Sequence, residues 1–182
     1  MKPLQDRLRA WWQAPLTPRA PAWRVRPAQV ADVPTLLQLM RSLAEFEQYA
    51  RDFAVTEEIL LRQGFERPDP HFHALVAEHD DQGVQGMLVY YFVPFTFRAH
   101  PTLYVKELFV NDVWRSHGLG QMLMRAAARV ALVEGCAMMR WQVARWNADG
   151  ARFYERLGAV ADDVWVDYGL DVGAISALAL RK

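Results

Sequence analysis

The run "TLYVKELFV", residues 102–110, alternates along a strand and is followed by "RSHGLGQ", residues 115–121. A long stretch with apolar residues at helical spacing comes next, from about His117 to Glu134, and then "MRWQVA". A strand, a glycine turn, a helix and a second strand form a crossover. Such a connection returns the chain to the same sheet, parallel to the first strand and with a right-handed turn. No other segment restricts the fold so tightly, because the rest of the chain must build its sheet around this unit.

Two glycines, Gly118 and Gly120, open the helix. A turn of this kind aims successive backbone N–H groups outward, and the helix adds its partial positive charge at the same point. Glycine lets the chain approach a pyrophosphate without a Cβ in the way, and Arg115 adds positive charge. The turn is not a Walker loop, since the sequence has no Gly-Lys pair, nor a dinucleotide fingerprint, since Leu123 stands at the third glycine position.

The remaining chain supplies the rest of a mixed sheet. "WRVRPA" reads as a first strand, and Asp32 is placed to cap a helix striped by Leu36, Leu37, Leu39, Met40 and Leu43. Thr56 opens a second, short helix with Glu57 and Glu58 in its first turn. "FHALVAEH" and "GMLVYYFV" flank "DDQG" as a hairpin; "DGARFYERL" reads as a short helix and the tail "AISALAL" as a final strand. The order is strand, two helices, three strands, helix, strand, helix, strand, which gives an α/β fold of the mixed-sheet (α+β) kind. Residues 1–22 stand apart as an extension, with Leu4, Leu8, Trp11 and Trp12 near one helical face, and residues 23–182 form one domain. The extension is expected to pack on its own domain or a partner subunit, with a membrane surface as the alternative.

Charge and cysteine content exclude several classes. The formal net charge is zero, which argues against a general nucleic-acid binder. The single cysteine, Cys136, permits no internal disulfide and no cysteine-based metal site, and it reads as a buried structural thiol. His71 and His73 lack a third ligand, so no metal is expected. No apolar run has the length of a membrane helix and the N-terminus has no signal-peptide pattern, so a cytoplasmic location is expected.

The segments "LYVKELFVNDVWRSHGLGQMLMRAAA" and "WQVARWNADGARFYERLGA" resemble the acetyl-CoA-binding core of the GNAT acyltransferases. With "RPA", "LAEFE", "HFHALVAE" and "YYF", the likeness is greatest to the diamine (spermidine/spermine) and thialysine acetyltransferases, over about Val25 to Asp167. The resemblance implies a sheet whose neighbouring strands "TLYVKELFV" and "MRWQVA" splay apart to admit the pantetheine arm of acetyl-CoA. It implies main-chain pairing of Leu108, Phe109 and Val110 with that arm. The N–H groups of Ser116, His117, Gly118, Leu119, Gly120 and Gln121 take the pyrophosphate, beside Arg115. Asn147, with Ala148, Asp149 and Gly150 at the start of the next helix, lines the cofactor. A homodimer is also implied.

Acetyl transfer from a thioester needs a neutral amine, a polarised carbonyl, a protonated leaving thiolate and two substrates held in line. Tyr154 matches the family's tyrosine beside the cofactor sulfur and is the expected general acid, while Phe153 is expected in the core. Glu107 has Val105 and Phe109 as its period-2 neighbours, so its carboxylate is either salt-bridged or facing a cavity. The family carries adjacent acids here, which bind the amine and help to remove its proton. In this chain Lys106 takes the place of the first acid, and it either repels a long polycation or pairs with a substrate carboxylate. Glu47, after Phe46, and Asp163, before Trp165, match further acids on the amine path. The expected activity is acetyl-CoA-dependent N-acetylation of a small-molecule primary amine. A non-catalytic CoA-binding module on the same scaffold is the alternative.

Overall fold

Five strands rich in branched and aromatic residues form one sheet in the order β1-β2-β3-β4-β5. They are β1 (Trp23–Pro27), β2 (His73–His79), β3 (Gly83–Val93), β4 (Thr102–Val110) and β5 (Met138–Arg140). The first three pairings are antiparallel and the β4–β5 pairing is parallel. The protein is seen in a computed structural model that describes residues 22–94, 99–162, 164 and 166–181. The expected N-terminal helix therefore lies outside the described residues, apart from Ala22. The described chain forms two compact units that divide between Ala144 and Arg145.

In the first unit, helix α1 (Val33–Phe46) buries Val33, Leu36, Leu37, Leu39, Met40, Leu43 and Ala44. These pack on Ala74 and Val76 of β2, Met87 and Val89 of β3, and Phe109 of β4. Each fully buried leucine contributes about 1.5–3 kcal/mol by leaving water. Asp32 stands at the N-cap position but does not cap α1. Its carboxylate instead accepts the Gln29 N–H at 2.7 Å and holds the Arg26 guanidinium at 2.6 and 2.9 Å. Thr56 caps α2 (Glu57–Leu60) as expected, its hydroxyl accepting the Ile59 N–H. One wide helical turn over Leu61–Phe65 follows.

Helix α3 (Leu119–Val133) buries Leu119, Leu123, Met124, Ala126, Ala127, Val130 and Ala131. It covers the other face of the sheet, where alternation places Leu75, Leu88, Tyr90, Leu103 and Val105, all buried. A Cβ at Gly86 would stand 3.2 Å from the Phe109 carbonyl oxygen and 3.4 Å from Leu123, so the absent side chain lets α3 approach. After α3 the chain pairs with β4 only through Met138–Arg140, against Thr102–Tyr104. The expected strand "MRWQVA" is thus cut short. Among the described residues Val105–Val110 have no ladder partner on that side, which is the expected splay.

The second unit carries α4 (Ala148–Arg156) and α5 (Val172–Ala179). The tail read as a strand is therefore a helix. Asp171 caps α5, its carboxylate accepting the Ala174 N–H at 2.8 Å, and the Ile175 N–H bonds the Asp171 carbonyl at 2.8 Å. With that start fixed, the alanine-rich sequence follows its helix propensity.

Candidate active site

The pairing of β3 with β4 shifts register in mid-strand: Val89 faces Glu107, but Tyr90 faces Val105. Lys106 is the additional residue, and this is a β-bulge. Residues directly opposite in an antiparallel pair share a face. Glu107 therefore lies with Val89 and Phe109 on the α1 face, while Val105 lies with Tyr90 on the α3 face. The uninterrupted period that made Val105 and Phe109 joint neighbours of Glu107 does not hold, because the bulge reverses the facing between them. Tyr91 and Tyr104 stack with ring centroids 5.1 Å apart on the face that carries Glu107.

The exit of α1 supplies the opposite wall. Gln48 takes a left-handed conformation (φ 65°), the Tyr49 N–H bonds the Ala44 carbonyl at 2.9 Å and the Gln48 N–H bonds the Glu45 carbonyl at 3.2 Å. This Schellman geometry ends the helix sharply and sets Glu47 and Tyr49 on a fixed corner. Glu47, Tyr49, Lys106 and Glu107 then interact electrostatically. Burial pushes the Glu107 carboxyl above its ordinary range; Lys106 draws it down and Glu47 adds to the rise. Burial also raises Glu47, against the pull of Lys106. Tyr49 is pushed up to about 12, by burial first and then by the charges of Glu107 and Glu47. The Oε2 atom of Glu107 is buried with no hydrogen-bond partner among the described residues. A buried carboxylate oxygen left unpaired is costly, and it marks a place prepared for a donor.

At the far end of β4 a short 3-10 turn, Asp112–Trp114, leads into the glycine turn. Ser116 (φ 64°) and Gly118 (φ 84°) are both left-handed. The first intrahelical bond of α3 runs from the Met122 N–H to the Gly118 carbonyl at 2.9 Å, so the N–H groups of Leu119, Gly120 and Gln121 precede it. His117 braces the turn. Its Nδ1 lies 2.8 Å from the Arg115 carbonyl oxygen, which only accepts, so Nδ1 carries the proton. Arg115 is engaged by the protein itself. Its Nε donates to the Val110 carbonyl at 3.1 Å and it pairs with Asp112 at 2.7 Å. Its guanidinium lies over the rings of Phe46 (4.9 Å) and Phe109 (5.4 Å). Arg115 thereby pins the turn to β4 and to the end of α1.

In the second unit, Asn147 caps α4, its Oδ1 accepting the Gly150 N–H at 2.8 Å. A Cβ at Gly150 would stand 2.7 Å from the Asn147 carboxamide nitrogen, so the glycine makes this cap possible. Ala148 opens α4, and Asp149 pairs with Arg152 one turn on. Tyr154 and Phe153 are both half-buried, with ring centroids 5.1 Å apart, so Phe153 is not the core residue expected. Asp163 lies outside the described residues.

Glu47 and the adjacent pair Lys106 and Glu107, which stand far apart in the sequence, are thus members of one electrostatic cluster. Tyr49 and Tyr104 were not legible beforehand. Tyr49 follows Glu47 at a helix exit with no motif of its own, and Tyr104 reaches the face of Glu107 only because of the bulge. The half-unpaired β4, the N–H groups of Leu119 to Gln121, which precede the first intrahelical bond, and the left-handed turn fit an extended ligand that carries a phosphate group.

The sequence profile of the Acetyltransferase (GNAT) family matches residues 36–159. The thialysine N-epsilon-acetyltransferase of Mus musculus is 32% identical over 168 residues, which cover 87% of this chain and 98% of that protein. Spermidine/spermine N(1)-acetyltransferase-like protein 1 of Homo sapiens is 28% identical over 144 residues, 76% of this chain and 20% of that protein. An aminoglycoside acetyltransferase from an uncultured soil metagenomic sample, solved in complex with sisomicin, is similar in fold. Its TM-score is 0.70 at 18% identity, covering 83% of this chain and 97% of that one.

Proposed function

The chain belongs to the acetyltransferase (GNAT) family, and from that premise we propose that it acetylates a primary amine of a small molecule, with acetyl-CoA as donor. The substrate is a polyamine, a diamine or a thialysine-like amino acid. The names of the mouse and human relatives support that range, one being a thialysine N-epsilon-acetyltransferase and the other a spermidine/spermine N(1)-acetyltransferase-like protein. The observation that carries the reading is Glu107. It is a carboxylate with one buried oxygen that has no partner among the described residues, on the half of β4 that has no β5 neighbour among them and leads into the glycine turn.

Acetyl-CoA supplies a thioester carbonyl, and the residues of the chain do the rest. Glu107 binds the ammonium and, with its affinity for protons raised by burial, takes the proton that frees the amine for attack. Glu47 strengthens that basicity, and the stacked Tyr91 and Tyr104 offer ring faces to a cation. An N–H of Leu108 or Val110 polarises the carbonyl as negative charge develops on its oxygen. The C–N bond forms as the C–S bond breaks, Tyr154 gives its hydroxyl proton to the sulfur, and the second proton lost by the nitrogen as it becomes an amide restores the Tyr154 hydroxyl. The N–H groups of Ser116 to Gln121 hold the pyrophosphate, Asn147 and the first turn of α4 line the donor, and Asp163 completes the amine path.

The chain works as a homodimer in the cytoplasm on this reading. The exposed apolar residues Val172, Ile175 and Leu178 of α5 supply surface for a second copy. Sedimentation at micromolar concentration tests that part. The activity itself is tested with acetyl-CoA and a panel of spermidine, putrescine, thialysine and lysine, read out by thiol release. Turnover with at least one amine is expected. Tight CoA binding with no turnover of any amine would leave only a CoA-binding module.

A further inference from the structure

The bulge does more than reverse the facing of β4. It sets two adjacent side chains of opposite charge beside one cluster at different depths. Lys106, the additional residue, is exposed, whereas Glu107 is half-buried with Oε2 out of contact with solvent. The ammonium of Lys106 acts on both Glu107 and Glu47, yet no carboxylate among the described residues forms an ion pair with it. A ligand whose ammonium reaches Glu107 therefore meets a half-buried negative charge and, beside it, an exposed positive charge. A diamine or polyamine brings a second ammonium toward Lys106, and like charges brought together oppose binding. A ligand with a carboxylate beyond its amine is complementary at both points, and the four-carbon stem of lysine lets the charge adjust to it.

We propose that Lys106 reads a substrate carboxylate, so that the site selects ω-amino acids, whose aliphatic chain joins a terminal primary amine to an α-amino carboxylate, over diamines of the same chain. The inference rests on the acetyltransferase reading of Glu107 and narrows its substrate class. Lys106 acts here as a specificity-determining residue and takes no part in proton transfer.

The test uses the full chain, acetyl-CoA and two matched pairs: L-lysine with 1,5-diaminopentane, and L-ornithine with 1,4-diaminobutane. Members of a pair differ only in the α-carboxylate. The parent protein should favour the amino acid in kcat/KM by about tenfold or more, the scale of one hydrogen bond to a charged group. Lys106→Met should bring the ratio close to one, and Lys106→Glu should invert it toward the diamine. Lys106→Arg should retain the preference, whereas a purely structural role of the lysine stem would keep it in Lys106→Met as well. A parent that favours the diamines overturns the proposal. So does an unchanged ratio in Lys106→Met and Lys106→Glu while both variants turn over. Acetylation of some other amine, with neither pair used, overturns the role of Lys106 and leaves the acetyltransferase reading in place. Absence of turnover with every amine removes both.

Discussion

The middle of β4 carries a cluster made of side chains, with Glu107 among Glu47, Tyr49 and Lys106; its C-terminal end leads into a turn made of main chain, with Ser116 and Gly118 left-handed ahead of α3. The chemistry of the cluster depends on which side chains are present. A single exchange of an acid for a lysine changes its charge, its basicity and the ligand it accepts. The chemistry of the turn depends on backbone conformation. Its N–H groups are the same in any sequence, and only a residue that cannot adopt a left-handed φ disturbs them. Substitutions in the cluster bear on which amine is used, and substitutions in the turn bear on whether the donor is held at all.

The comparison breaks most readily at Glu107. Glu107→Gln keeps the shape and removes the proton acceptor, so kcat/KM for the best amine should fall by about 10²–10⁴-fold, the usual contribution of a positioned acid or base. The KM for acetyl-CoA should change little, because the turn is untouched. Steady-state kinetics varying each substrate in turn separates the two. A rise in the acetyl-CoA KM as large as the fall in kcat/KM would join the two regions into one functional unit. Tyr154→Phe extends the side-chain half of the comparison into the second unit. It should lower kcat by about 10²-fold with both KM values nearly unchanged, since a general acid acts in the transition state. An unchanged kcat would return Tyr154 to a packing role beside Phe153.

Gly118→Ala strikes the main-chain end. The added Cβ meets no atom within 4 Å, so the cost is conformational, arising from φ at 84°. The expected loss is about 1–2 kcal/mol of stability, read from urea unfolding, with weaker binding of CoA by titration calorimetry. The kcat with saturating donor should be far less affected than in Glu107→Gln. If the variant binds CoA as the parent does, the turn serves only to start α3.

These two regions differed in legibility for the same reason. Glycines spaced at 118 and 120 between a strand and a helix announce a turn, because few other residues meet its backbone demands. The stripe of α1 was equally plain, since Leu36, Leu39, Met40 and Leu43 repeat at the helical period and all are buried. The bulge at Lys106 has no sequence marker. Reading with period 2 assumes an unbroken ladder, and one additional residue puts Val105 on the wrong face and brings Tyr104 onto the face of Glu107. The tail failed differently: "AISALAL" alternates well enough for a strand, and the deciding cap at Asp171 lies outside the pattern. The shortness of β5 depends on the splay, a property of the sheet and not of "MRWQVA" itself.

The smallest expected effect concerns stability and not rate, and it asks whether the side-chain cluster is buried in its working form. In the unfolded chain Glu107 titrates at the ordinary value of 4.5; in the folded chain burial raises it, Lys106 opposes and Glu47 adds to the rise. The folded state then binds the proton more tightly than the unfolded one. Its contribution to stability is complete below 4.5 and is lost as pH rises through the folded value. Glu47 runs with the same sign. Glu78 runs the other way, held at about 2 chiefly by its hydrogen bond to Arg26, so its contribution is present above 4.5 and fades toward acid. Comparing Glu107→Gln with the parent cancels Glu78 and, to first order, Glu47. The unfolding free energy of the variant minus that of the parent should rise with pH above 4.5 and level off once Glu107 is ionised in both states. Urea titrations across buffers from acid to mildly alkaline measure that difference. A flat profile would mean that the Glu107 carboxylate is solvated in the folded protein, and the contrast between a side-chain site and a main-chain site would lose its first half.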